Sequence, residues 1–547
     1  MKYFIYLFCF IALAISSYSQ IIINHVEHSI PIFDINEAVL LDNQTNLTGG
    51  SQISGFEVGN EKMFWRWNLT VMPPTWVQEN ALCVAVGERA YIFVAYDQVD
   101  INFFQADIDT IMQYLEHKTF ATDTMGILET VVNNFGDFPD ELDNDPKVII
   151  YYTGLKSYKG SVFNGYFSIY NQLTESEAVA NNAHSNECEM VYMTCDPLRP
   201  AERNNISVLA HELQHLIHWS KDQDEEQWIN EGCSEYAMVL CGLPDVIQDF
   251  QNNPDISLVT WNKKYTDQIK SMLFITYLAE QFGGAEFIRE LIANPFNGVE
   301  GVTSALNSTG IGMDFKDLYT DWALANFIDD TTFEDGQYGY KTFDIPNMKI
   351  QQKFLNYPVT SNNKLSSFGT RYYELPTDFA KINLSFNLPF GTNWSTSLIA
   401  YEGSTVKELM KSTDGNLSFS QPENYDLSKL VLAVSRTDNN IDSVAYSFEA
   451  LNVTGIEDKI SSNNIHLRVY PNPVQDEAII AYDMNQPGNV RITLVDLLGR
   501  EIKELRNSFD NNGNHIIQCD ISVLQSGTYF VKITNANQVL TQKLIKY

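Results

Sequence analysis

His211 and His215 stand four positions apart, with Glu212 beside the first, in Ser207-Val-Leu-Ala-His-Glu-Leu-Gln-His-Leu-Ile-His218-Trp219. On a helix, residues four apart lie about 40° round the axis and one turn along, so the two imidazoles face one ion. Glu212 is placed to take a proton from a water held there. Ile206, Leu209, Leu213, Leu216 and Ile217 fall on the far side of the same helix, which gives it an apolar face for a core and a polar face for a cleft.

Three fixed residues of this kind recur by chance in about one chain in a hundred, so the reading needs support from a second element. The next helical stretch, Gln227-Trp-Ile-Asn230-Glu231-Gly-Cys-Ser-Glu235-Tyr236-Ala237, carries a carboxylate sixteen positions after His215. Catalytic zinc keeps three protein ligands and one open position, and His, His, Glu is an established set. His211, His215 and Glu231 are therefore the candidate ligands of one Zn2+ ion. Glu235, one turn after Glu231, is placed to accept the outward N–H of a ligand histidine, and Asn230 is grouped with it in the supporting layer.

His211-Glu-x-x-His215 followed by Trp-Ile-Asn230-Glu231-Gly-Cys-Ser-Glu235-Tyr resembles the gluzincin metallopeptidases, thermolysin-like in arrangement and closest to the hyicolysin-like branch with its W-L-N-E-G-x-S-E-Y pattern. A metzincin needs a third histidine ten positions after the first, where this chain has Lys221; His218 is not a ligand in this reading, although it lies on the ligand face. The resemblance implies a zinc endopeptidase with Glu212 as general base. It also implies a donor for the developing oxyanion. Relatives carry a Tyr nine positions before the Tyr-Leu pair of a later helix, which here is Gln268, counted from Tyr277-Leu278. Gln268, Tyr265 one turn earlier and Tyr236 all remain candidates. Tyr265 is the favoured one, because a phenol reaches further than an amide.

These side chains need a sheet and helices to hold them. Ala81 to Val86 and Arg89 to Tyr96 read as paired strands around Gly87, dense in β-branched and aromatic residues. Ile108 to Leu115 and Met125 to Asn134 have helical spacing, and Lys147 to Thr153 is a compact buried strand. Ser185 to Thr194 reads as a further strand; the gluzincin resemblance makes it the sheet edge beside the cleft, able to pair with an extended peptide. Residues 244–330 are helical and form the opposite wall. Between Asp137 and Asp145 an Asp/Asn cluster offers hard oxygen ligands, so a bound Ca2+ is one reading and a solvated turn the other.

Lys and Arg number 35 against 69 Asp and Glu, a net charge of −34. Such a surface repels nucleic acid and anionic lipid, so neither is an expected partner. Met1-Lys2 and an apolar run to Ile15, then Ser17-Tyr-Ser19, read as a secretory leader over residues 1–19. No other segment approaches the roughly 20 apolar residues of a membrane span. Six cysteines lie beyond the leader, an even number compatible with disulfides, including a bridge from the Cys188–Cys195 segment to Cys233. Cys233 and Cys241 are excluded as a pair, being about 12 Å apart along one helix.

From about 345 the apolar period changes to two, and Thr370 to Leu375, Ala380 to Ser385, Ser397 to Tyr401, Leu430 to Val434 and Ala445 to Phe448 read as strands of a β-sandwich. A polar linker occupies 452–466. Tyr470-Pro-Asn-Pro473, Asp496-Leu-Leu-Gly-Arg500 and the terminal Lys543-Leu-Ile-Lys546 together resemble the C-terminal sorting domain of the type IX secretion system, an immunoglobulin-like sandwich. That resemblance implies passage through the periplasm to the outer surface of a Gram-negative cell or the medium, handled by type IX machinery.

The expected architecture is multidomain α+β: leader 1–19, N-terminal extension or propeptide 20–80, zincin-type domain 81–340 with a mixed sheet and a helical subdomain, β-sandwich 345–451, and sorting domain 467–547. Its expected activity is hydrolysis of peptide bonds. The rivals are a non-catalytic adhesin on a zincin scaffold and a zinc aminopeptidase or esterase acting on small substrates.

Overall fold

The computed structural model describes residues 55–547 apart from 72, 156–161, 163, 245–246, 414, 441, 454–466, 485–486 and 536–538. The leader, the extension up to 54 and nearly all of the linker lie outside the described residues. The chain is multidomain with mixed α and β content.

The first unit is built on a six-stranded sheet in the order β1-β2-β3-β4-β6-β5. Its strands are β1 (Glu61–Asn68), β2 (Thr75–Val86), β3 (Ala90–Ala95), β4 (Val148–Thr153), β5 (Gly165–Phe167) and β6 (Met190–Thr194). β3, β4 and β6 run parallel, while β1 and β2 are antiparallel, as are β5 and β6. β4 reads Val-Ile-Ile-Tyr-Tyr-Thr and is buried throughout, as expected of a parallel strand covered on both faces.

Two expectations change here. β1 and half of β2 fall inside residues 20–80, so the end of that stretch, from Glu61, is integral to the sheet rather than an extension. β1 also curls back over the sheet: the Trp65 carbonyl accepts from Tyr192 Oη on β6 at 2.8 Å and from Asn186 Nδ2 at 2.9 Å. Second, the sheet edge is β5, because β6 has a partner on each side.

Helices cover one face. They are α1 (Gln105–Glu116), α2 (Ile127–Phe135), α3 (Glu175–Ala180), α4 (Arg203–Lys221), α5 (Gln227–Leu240), α6 (Gln248–Asn252), α7 (Tyr265–Phe282), α8 (Ala285–Ile292), α9 (Gly298–Ser308) and α10 (Phe315–Ile328). The apolar stripe of α4, including Leu209, Leu213 and Leu216, is fully buried, each side chain contributing about 1.5–3 kcal/mol by leaving water. α5 packs closely on α7 through Gly232, where an added Cβ would stand 2.8 Å from Ile275 Cγ1 and 3.0 Å from the Ser271 carbonyl. α7 begins six residues before the apolar run at Ser271, with Tyr265 as its first residue. Asp267 starts this helix by accepting from the Asn262 and Lys264 amides and from Lys270 Nζ.

Strands β7 (Gln352–Lys353), β8 (Val359–Leu365), β9 (Thr370–Leu375), β10 (Lys381–Asn387), β11 (Trp394–Glu402), β12 (Thr405–Ser412), β13 (Asn416–Ser420), β14 (Lys429–Arg436) and β15 (Val444–Asn452) form sheets of four and five strands. β16 (Leu467–Tyr470), β17 (Glu477–Met484), β18 (Gly488–Val495), β19 (Glu501–Asp510), β20 (Gly513–Asp520), β21 (Gly527–Asn535) and β22 (Val539–Lys546) form sheets of three and four around a separate core. The cysteines Cys83, Cys188, Cys195, Cys233, Cys241 and Cys519 are all buried free thiols. The disulfides admitted by their even number do not form, since each thiol fills apolar core rather than facing a second one.

Candidate metal centre

α4 and α5 lie side by side and bring His211, His215 and Glu231 to one point, each at most 2% exposed. His211 Nε2 is 3.1 Å from His215 Nε2 and 3.4 Å from Glu231 Oε2, and His215 Nε2 is 3.8 Å from that oxygen. One face of a tetrahedron around an ion with bonds of about 2.0–2.1 Å has edges of roughly 3.3 Å, so these three atoms are set as a ligand triangle. Among the described residues this is the one group of three His, Cys, Asp or Glu side chains so placed.

The outer nitrogens fix the direction of the inner ones. His215 Nδ1 is 2.7 Å from Asn230 Oδ1, an acceptor, so this nitrogen carries the proton and Nε2 turns a lone pair inward. Ser234 Oγ, 3.0 Å from the same nitrogen, donates to Gln214 Oε1. His211 Nδ1 faces Glu235 Oε1 at 3.4 Å, which gives Nε2 the same inward role. With both rings neutral, two imidazole lone pairs and a carboxylate oxygen converge, an arrangement of acceptors suited to a cation. Burial opposes charge on both rings. On His211 the Glu231 and Glu235 carboxylates overcome it and hold the pKa well above the ordinary value; on His215 burial wins and the pKa falls to about 4.

Glu212 is fully buried on the same turn of α4 as His211. Beneath it lies Gly165 of the edge strand: a Cβ there would meet Met193 Sδ and the Tyr192 carbonyl at 2.6 Å and Glu212 Cγ at 3.4 Å. Asn164 Nδ2 donates to Asn205 Oδ1 at 2.6 Å, tying the start of this strand to the first turn of α4. Gly165 is the site residue that spacing does not reveal. Its signal is an isolated glycine within Phe163-Asn-Gly-Tyr-Phe167, the mark of a close backbone approach.

Other candidates separate. His218 is fully buried, lies outside the ligand triangle with Nδ1 3.3 Å from Gln214 Nε2, and has its pKa pushed down to about 3 by burial and by His215. Tyr236 is buried and packs against Phe135. Tyr265 is half-buried at the start of α7. Gln268 is fully buried, and neither amide atom has a hydrogen-bond partner among the described residues. In the Asp137–Asp145 loop, Asp137 and Asp140 are exposed, while Asp145 is engaged by Tyr91 Oη at 2.8 Å and by the Lys147 amide. Among the described residues no three carboxylates of that loop converge on one point, and Lys62 lends Asp143 a countercharge.

No curated protein matches the chain. Among solved structures, dimeric latent PorU from Porphyromonas gingivalis aligns with 14% identity and a TM-score of 0.16 over 36% of this chain and 19% of its own. A β-glucuronidase from Faecalibacterium prausnitzii aligns with 10% identity and a TM-score of 0.14 over 35% and 38%. Likenesses this weak carry no argument about fold or activity. Residues 468–547 match the family described as the secretion system C-terminal sorting domain. The seven strands β16 to β22 therefore form a type IX sorting domain, which marks this protein for secretion.

Proposed function

We propose that the unit from β1 to α10 is a zinc-dependent endopeptidase of gluzincin type, carried to the cell surface or the medium by its sorting domain. The observation that carries this reading is the ligand triangle of His211, His215 and Glu231, with edges of 3.1, 3.4 and 3.8 Å, next to the buried Glu212. The donor chemistry fits zinc, which takes two imidazoles and a carboxylate and leaves one position open.

When bound there, zinc supplies Lewis acidity toward a carbonyl oxygen and acidifies water. The rest falls to the chain. Glu212 takes the proton of the attacking water on its carboxylate and returns it to the leaving amine, and burial strengthens that exchange by removing competing solvent. Asn230 and Glu235 keep the two imidazoles in the tautomer that points Nε2 inward. β5 is the last strand on this side of the sheet, and an extended peptide would lie along it with its scissile bond over Gly165 and Glu212. Gln268 and Tyr265 are the donors proposed for the oxyanion.

Glu212→Gln tests the reading. It keeps the ligand triangle and removes the base, so bound zinc stays near one per chain while casein hydrolysis falls by about 10²–10⁴-fold. Hydrolysis within about threefold of the parent, far short of that loss, ends the mechanism. Aminoacyl and ester reporters run in parallel separate an endopeptidase from an aminopeptidase or esterase.

A further inference from the structure

Gln214 and His218 stand one turn apart on α4, and Ser234 stands one turn after Asn230 on α5. All three side chains are fully buried, and none belongs to the ligand triangle. They form one chain of hydrogen bonds that starts at a ligand histidine. Ser234 Oγ lies 3.0 Å from His215 Nδ1 and donates to Gln214 Oε1 at 2.5 Å, and Gln214 Nε2 lies 3.3 Å from His218 Nδ1. The far end is His218 Nε2, buried and with no hydrogen-bond partner among the described residues.

The polarity of that chain follows from what each group can do. A hydroxyl both donates and accepts, so a serine alone beside an imidazole favours neither tautomer. A primary amide is fixed instead: one end only donates and the other only accepts. Gln214 aims its acceptor at Ser234 and its donor at His218, so Ser234 commits its proton to Gln214 and offers His215 Nδ1 a lone pair alone. His218 holds the amide that way round because its Nδ1 accepts. Burial pushes the pKa of His218 down to about 3, so the ring is neutral, with its proton on Nε2. His218→Leu would free the Gln214 amide to turn end for end. A turned amide donates to Ser234, whose hydroxyl then donates to His215 Nδ1 and places that ring's proton on Nε2, toward the ion.

We propose that His218, acting through Gln214 and Ser234, is a positioning residue that keeps His215 in the tautomer with Nε2 open to a metal. Asn230 Oδ1 accepts from the same nitrogen at 2.7 Å, and the chain holds the ring's proton from a second side. The proposal rests on the zinc reading for its consequence, a tighter site. The tautomer itself is a property of the metal-free chain and is read without zinc.

The test uses the full chain, isotope-labelled at the histidine nitrogens and stripped of metal, so that NMR couplings within each ring report its tautomer; the His215 signals are those missing from His215→Gln. Expected in the parent is a His215 protonated on Nδ1. In His218→Leu a share of the Nε2–H form appears, and in His218→Asn, whose Oδ1 restores an acceptor, it does not. Resupplied with zinc and titrated against a chelating dye, Ser234→Ala and His218→Leu should each weaken zinc by about tenfold, the lower end for an outer partner of a ligand histidine. Without Ser234 the residue at 218 has nothing to act through, so Ser234→Ala/His218→Leu should also lose about tenfold, whereas two independent packing defects would multiply to about a hundredfold. Gln214→Met breaks the chain at its middle link and takes the place of His218→Leu should that variant not fold. An Nδ1–H tautomer unchanged when the chain is broken, or losses that multiply, overturns the proposal; a parent that takes up no zinc while the tautomers move as stated overturns the zinc reading alone.

Discussion

Two polar clusters, one half-buried and one fully buried, lie on opposite faces of the six-stranded sheet, and they satisfy their charges in opposite ways. On the face away from α4, Glu79 of β2 takes Arg66 Nε at 2.6 Å and Nη2 at 2.8 Å, and it accepts from Tyr151 Oη and Thr153 Oγ1, both at 2.6 Å. Every contact there is a donor meeting an acceptor. On the α4 face, His211 Nε2, His215 Nε2 and Glu231 Oε2 set three acceptors around a common point. The first cluster is complete as a set of side chains; the second is a group that could hold a metal ion. Burial alone therefore does not mark a functional site, whereas acceptors that converge do.

That contrast is sharpest when the ion is withdrawn. With free zinc at about 10⁴ times Kd, binding adds about 5.5 kcal/mol to folding stability, so dialysis against a chelator should lower Tm strongly in the parent and not in His211→Ala. Equal Tm values for the zinc-loaded and stripped parent would erase the distinction between the clusters.

Breaking the other cluster should cost nearly as much by a different route. Arg66→Met leaves the Glu79 carboxylate buried without its partner, an expected loss of about 3–5 kcal/mol in urea unfolding with zinc content unchanged. Arg66→Met/Glu79→Gln should recover much of it. Burial works against the ionised Glu79, yet Arg66 and the two hydroxyls hold its pKa below the ordinary carboxylate value. Its contribution is thus full above that value and is lost as pH falls through the lowered one. An Arg66→Met variant should show a weaker acid dependence over that window, and an unchanged profile would assign the acid sensitivity elsewhere.

The oxyanion donor comes next in size. One such donor is worth about 2.7–4 kcal/mol in kcat, and Gln268, buried with both amide atoms unpartnered among the described residues, competes with Tyr265 for the role. Gln268→Ala and Tyr265→Phe at saturating peptide should differ, only one showing that loss; two unchanged kcat values would exclude both. The smallest expected effect is in the supporting layer. Glu235→Gln and Asn230→Ala should each weaken zinc by about 10–100-fold without unfolding the chain, as read by competition with a chelating dye.

The ligand triangle is legible in the sequence because helical spacing translates directly into side-chain direction: His211, His215 and Glu231 need only two helices placed side by side. The sheet is poorly legible for the opposite reason. β1 and β2 are joined through Pro73 and Pro74 and mix exposed with buried residues, so they read as a polar extension until their pairing with β3 is known. The edge strand β5 is three residues long, too short to carry a period, so nothing in the sequence corrects the resemblance that makes β6 the edge. The apolar run of α7 starts only at Ser271, whereas Asp267 starts the helix earlier, at Tyr265, through backbone amides.

The six buried thiols bear on how an exported protein survives oxidation. Burial pushes Cys83 up to about 11 and Cys188 and Cys241 up to about 12, so the folded chain presents almost no thiolate. Protection is then a matter of timing. Until its cores close, each nascent thiol is open to pairing in an oxidising compartment, and a wrong bridge would have to be undone before that cysteine could pack. Folding that outpaces oxidation takes the place of disulfides as the safeguard, and slow-folding variants of this chain should accumulate as mixed disulfides that a reductant dissolves.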